Sequence, residues 1–149
     1  MADHEHYMRI ALEEAELGAA EGNVAVGSIL VSAGKVEARG RNLVTSTSDP
    51  TAHAETVALR NAGEQLGHPD LSKLPLNTTI EPCPMCCGAI LASGVHTLVM
   101  GARHDLTQSN WGAYTVEKLL DLTNRASQLI VVTGILTREC GDVRKHETE

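Results

Sequence analysis

The chain has 149 residues, a length expected to fold as one domain spanning 1–149. Its formal net charge of −7 argues against a general affinity for nucleic acid, and no apolar run approaches the length of a membrane span. The opening "MADHEHYM" lacks the basic and apolar stretches of a secretory signal. A cytoplasmic protein with reduced thiols is expected.

There is no Phe, and only two Tyr and one Trp, so Leu, Val, Ile and Ala must build the core. Met8, Ala11, Leu12, Ala15 and Ala19 recur at helical spacing, with Glu13, Glu14, Glu16 and Glu21 mostly on the other face. Gly22-Asn23 ends that helix. "VAVGSILVS" and "VEARGRNLV", joined at Ala33-Gly34-Lys35, read as a hairpin. Asp49-Pro50-Thr51 leads into a helix carrying Ala54, Val57, Ala58 and Ala62 on one face. Leu76–Ile80 is a short strand, and Pro84–Ser93 a short helix with Pro84 in its first turn and Gly94 beyond its end. "VHTLVMGA" and "SQLIVVTG" read as buried strands flanking a helix in "YTVEKLLDL". The order α-β-β-α-β-α-β-α-β-α implies an α/β fold with one mixed sheet covered by helices on both faces.

Three of the four cysteines fall in "EPCPMCC", residues 81–87. A C-x-x-C pair at a helix start puts two sulfurs on one turn, where the helix dipole favours the thiolates that bind metal. Cys83 and Cys86 meet that geometry. Cys87 lies about 100° further round the helix and reads as a small buried hydrophobe. Alone, the pair could be a redox motif or half of a structural zinc site, but no second C-x-x-C completes such a site. Upstream, "TAHAE" sets His53 and Glu55 at the start of another helix. His53, Cys83 and Cys86 give three protein ligands and leave a fourth tetrahedral position open, the pattern of a catalytic rather than a structural zinc. Glu55, two residues from a ligand, is the obvious base. Singly, His53 reads as a helix cap and Glu55 as a solvated charge; together with the cysteines they favour a catalytic centre.

H-A-E followed by P-C-P-M-C resembles the signature of the zinc-dependent cytidine deaminase superfamily. From "ALEEAELGAAEGNVAVG" to "GILTREC" the chain is similar to its compact branch of cytosine, guanine and tRNA adenosine deaminases. The resemblance implies a three-layer α/β/α fold with a five-stranded mixed sheet, and usually a homodimer. It implies Zn²⁺ on His53, Cys83 and Cys86, with Glu55 as proton shuttle. It also implies that Asn42, the backbone amide of Ala54 and the turn at Glu81 contact the substrate. Asn42 reads alternatively as a turn residue at a strand end. Ala25 departs from the Pro frequent in relatives, which is expected to loosen one pocket wall. Glu55 would take a proton from water and return it to a ring nitrogen and then to the amine, which leaves as ammonia.

For the substrate, the tail "GDVRKHETE" is mixed in charge and lacks aromatic residues, unlike the basic, aromatic C-terminal helix of the tRNA-editing relatives. With phosphate contacts supplying much of RNA affinity, the expectation is a small free base of cytosine or guanine type, with nucleic acid disfavoured. The alternative is a tRNA adenosine-to-inosine deaminase. A non-catalytic zinc scaffold would need a fourth ligand, such as His96 or His104. Trp111, in the polar stretch after "VHTLVMGA", is a candidate to stack on the base, as are Tyr114 and His104; it could equally cover the core or an interface. Gly88, Ala89 and Ala92 permit close approach of a second helix, from the same chain or a partner.

Overall fold

The structure is a computed structural model that describes residues 3–145. The last four residues of the tail, 146–149, and the first two of the opening stretch lie outside the described residues. Helix α1 (His4–Ala20) starts at Asp3, whose carboxylate accepts the His6 N–H at 3.0 Å. It buries Met8, Ala11, Leu12 and Ala15, as the spacing requires. Two positions differ. Gly18 is buried where Ala19 was expected, and Glu14 lies beneath β2 (Lys35–Arg41), accepting from Arg41 Nη1 at 3.0 Å.

Strand β1 (Gly27–Ser32) pairs antiparallel with β2, from Gly27 opposite Arg41 to Ser32 opposite Lys35. The turn places Ala33 and Gly34 at φ of 48° and 80°, the left-handed pair that a tight hairpin needs. A short helix α2 (Val44–Thr47) was not expected. Two asparagine side chains hold it: Asn42 Oδ1 accepts from Val44 N–H, and Asn23 Oδ1 from those of Thr45 and Ser46.

The remaining elements are α3 (Ala54–Leu66), β3 (Leu76–Ile80), α4 (Pro84–Ser93), β4 (Thr97–Ala102), α5 (Val116–Leu122), β5 (Ile130–Val132) and α6 (Thr137–Arg144). The five strands form one mixed sheet in the order β2-β1-β3-β4-β5, antiparallel between β2, β1 and β3 and parallel from β3 to β5. Alternating side chains supply both faces. Leu30, Leu76, Leu98 and Met100 join α3, α4 and α5 on one, while Ile29, Val31 and Val99 meet α1 and Cys140 of α6 on the other. This is the expected three-layer α/β/α architecture. Strand β5 is shorter than expected and not fully buried; at the sheet edge, Ile130 is 61% exposed.

Helix α3 lies unusually close on β2 because residue 40 is glycine. A Cβ at Gly40 would overlap the backbone carbonyl of Ala54 and the amide of Ala58. That contact seats the first turn of α3 beside Asn42, which follows the end of β2.

Candidate active site

The loops after the parallel strands β3 and β4 share one end of the sheet, and the first turns of α3 and α4 meet there. His53 and Cys83 hold the N-cap positions of α3 and α4 in extended backbone, yet neither side chain caps an N–H. They converge instead. His53 Nδ1 lies 3.6 Å from Cys83 Sγ and 3.5 Å from Cys86 Sγ. Zinc bonds to imidazole and thiolate, at a tetrahedral angle, would separate N from S by about 3.6 Å, so the three side chains fit zinc without rearrangement. Among the described residues they are the single such group of possible ligands. His96 and His104 do not join it, so the fourth ligand that a scaffold requires is not supplied by either.

The chemistry of the donors agrees with the geometry. The Cys86 thiol hydrogen-bonds Cys83 and, with His53, holds the Cys83 thiol down to about 4 against the effect of burial. The same bond and burial push Cys86 up. Metal binding takes cysteine as thiolate, so a bound dication would displace the thiol protons. Cys87 is buried in the core with Ile90 and Tyr114, outside the ligand group.

Glu55 occupies the first turn of α3 and is 3% exposed, not solvated. Burial lifts its carboxyl to about 7, a range suited to taking and returning protons near neutral pH. Glu55 lines a cavity of about 330 Å³ together with His53, Cys83, Asn42, Ala54 and Trp111. Asn42 is buried and lines the cavity, and its Oδ1 accepts from the Val44 N–H, so the turn reading of this residue is realised. Ala54 contributes first-turn backbone with N–H groups that have no partner inside the helix. Val24 and Val26 line the cavity on either side of the buried Ala25. Trp111 is 46% exposed at the mouth and does not cover the core.

Glu81 also lines the cavity, but its carboxylate is engaged elsewhere by Arg103 and by the backbone N–H groups of His104 and Val116. Sequence reasoning missed Asn110 and Arg144 of the lining. Neither belongs to a motif, and the fold alone brings them there.

The chain belongs to the cytidine and deoxycytidylate deaminase family: the model of that family's zinc-binding region matches residues 1–102. The tRNA-specific adenosine deaminase of Bacillus subtilis is 36% identical over 141 residues, 95% of this chain and 86% of its own. A chloroplastic tRNA(adenine(34)) deaminase of Arabidopsis thaliana is 48% identical over 102 residues, and this chain spans 8% of its length. A structure from a study of A-to-I editing by tRNA:A34 deaminases at the wobble position superposes with a TM-score of 0.83 at 33% identity, covering 93% of this chain and 98% of the other. A guanine deaminase from Nitrosomonas europaea reaches a TM-score of 0.84 at 28% identity, covering 100% of this chain and 87% of its own. The chain is thus a zinc-dependent hydrolytic deaminase.

These relatives overturn two sequence-based expectations, the free-base substrate and the exclusion of nucleic acid. Whole-chain charge misled because it averages over distant surfaces. Six acidic residues, Asp3, Glu5, Glu13, Glu14, Glu16 and Glu21, lie on or just beyond α1, and Arg41 pairs two of them. Beside the cavity, a cleft of about 530 Å³ is lined by Arg103, Arg144 and Lys145, of which Arg103 is paired with Glu81 and Glu117 and Lys145 with Asp142. Arg144 of the tail lines both the cleft and the cavity. Among the described residues no helix is long and apolar enough to cross a membrane.

Proposed function

We propose that this protein deaminates an adenosine held in transfer RNA, at the wobble position of the anticodon, to inosine. The observation that carries the reading is the 36% identity to a tRNA-specific adenosine deaminase across 95% of the chain. The shape of the site supports it. The cavity around Glu55 and the adjoining cleft share Ile80, His104, Asn110, Trp111 and Arg144, so a base-sized recess opens directly into a larger groove. That arrangement suits a nucleotide swung out of an RNA loop, with base in the recess and backbone in the groove.

Zinc held by His53, Cys83 and Cys86 would supply a water acidified enough to act as nucleophile at neutral pH. The water oxygen bonds to the ring carbon bearing the amine, and the carbon–nitrogen bond breaks to give ammonia. Glu55 carries the protons: its carboxylate accepts one from the water and passes it to the adjacent ring nitrogen, then takes the second from the oxygen now bonded to the ring carbon and delivers it to the departing amine. Asn42 and the Ala54 amide fix the register of the base by hydrogen bonds. The arrangement of Trp111 at the mouth supports a stacking role. The test is direct: incubate an anticodon stem-loop bearing adenosine at the wobble position, digest it to nucleosides and measure inosine by mass spectrometry. Inosine at that position alone supports the reading, and none after prolonged incubation with zinc-loaded protein refutes it.

A further inference from the structure

Between β4 and α5 the chain runs through a segment, residues 103–115, that supplies His104, Asn110 and Trp111 to the cavity and most of one wall of the adjoining cleft. It contains no helix or strand, so something else must fix its shape. The carboxylate of Glu81 meets both of its ends. Oε1 accepts from Arg103 Nε at 3.3 Å and from the His104 N–H at 3.2 Å. Oε2 accepts from Arg103 Nη2 at 2.8 Å and from the Val116 N–H at 2.9 Å. Glu81 is 1% exposed, so these four donors are its surroundings rather than chance surface contacts. Next to it, the Pro82 carbonyl accepts the Tyr114 hydroxyl at 2.6 Å, and Cys83 is one of the three side chains arranged to hold zinc. The strap that delivers Cys83 to the zinc centre therefore also grips the entry, the exit and Tyr114 of the segment opposite.

We propose that Glu81 is a positioning residue, which clasps the two ends of the 103–115 segment and so sets Trp111 and Asn110 for substrate binding without itself touching substrate. The part that concerns RNA rests on the proposed function; the clasp itself does not. Both carboxylate oxygens receive two donors each, so an amide cannot replace the group. Whichever way a Gln side chain is turned, its NH₂ faces a pair of N–H donors and one end of the segment is released.

Glu81→Gln is expected to raise KM for an anticodon stem-loop about 10-fold, with kcat changed less than about 3-fold and zinc content unaltered. Arg103→Gln removes the guanidinium's bonds to Glu81 and to Glu117 but leaves both backbone donors on the Glu81 carboxylate, so its effect should run the same way and be smaller. Trp111 is the sole tryptophan, and acrylamide quenching of its fluorescence reads the segment without substrate. Quenching should rise in both variants, more in Glu81→Gln. If Glu81→Gln does not fold, Arg103→Gln carries the test alone. Wild-type quenching and KM in the folded variants would overturn the clasp, as would a fall in kcat with KM unchanged. Altered quenching in a protein that leaves the stem-loop untouched would sustain the clasp and sink the tRNA reading instead.

Discussion

Gly40→Ala tests how the first turn of α3 is seated. The added Cβ would lie 2.8 Å from Ala58 Cα and closer still to the Ala54 carbonyl oxygen and the Ala58 amide nitrogen. An ordinary carbon–carbon contact is about 3.5 Å, so α3 must lift from β2 by roughly 0.7 Å. All three obstructing atoms are backbone, so no rotamer change relieves the overlap. Overpacking of this kind costs about 1–3 kcal/mol. The lower backbone entropy of an unfolded alanine chain recovers part of that, about 0.4–1 kcal/mol. For a domain of this length the remainder, up to about 2.6 kcal/mol, lowers Tm by as much as roughly 10 °C. The displaced turn also carries His53, Ala54 and Glu55, and a shift approaching 1 Å in a catalytic group can reduce turnover toward 10²-fold. Circular-dichroism melts and single-turnover assays on the zinc-loaded variant read both effects. A Tm within about 1 °C of wild type together with unchanged turnover would refute the seating of α3 on Gly40.

Cys86→Ser should lose the metal while Cys87→Ser retains it, read by metal analysis of purified protein; the reverse would move the ligand set by one residue. Glu55→Gln should keep zinc and fold but slow turnover by at least ~10²-fold, and a near-normal rate would remove Glu55 from proton transfer. Trp111→Ala should weaken stem-loop binding by about 1–3 kcal/mol, measured with the Glu55→Gln protein so that the RNA is not consumed. An unchanged Kd would leave Trp111 as a bystander at the cavity mouth.

What the sequence made legible follows from how strictly chemistry dictates residue type. Zinc accepts few donors, so His53, Cys83 and Cys86 could be chosen by kind and spacing, and the structure gathers those three. The period of α1 was readable because that helix buries one face, and α4 was readable from Pro84 in its first turn and Gly94 beyond its end. Gly40 was not readable: nothing local distinguishes a glycine needed for close approach from a weak strand residue. The Glu81 clasp was hidden for a related reason, since its partners lie 22 to 35 residues away and belong to no motif. The family resemblance marks the turn at Glu81 as a substrate contact, and nothing in that resemblance pointed to the carboxylate's bonds with Arg103, His104 and Val116. Net charge failed most plainly. It sums over the whole surface, and only the fold shows which charged groups, Arg103, Arg144 and Lys145 among them, line the cleft beside the cavity.

The central claim, a zinc centre that deaminates adenosine within an RNA loop rather than a free base, is tested most directly by ammonia release from one zinc-loaded preparation. An anticodon stem-loop with adenosine at the wobble position would be assayed beside free cytosine, guanine and adenine at equal concentration. Ammonia from the stem-loop alone, absent in Glu55→Gln, is the expected result. Ammonia from a free base with the stem-loop left intact would contradict it.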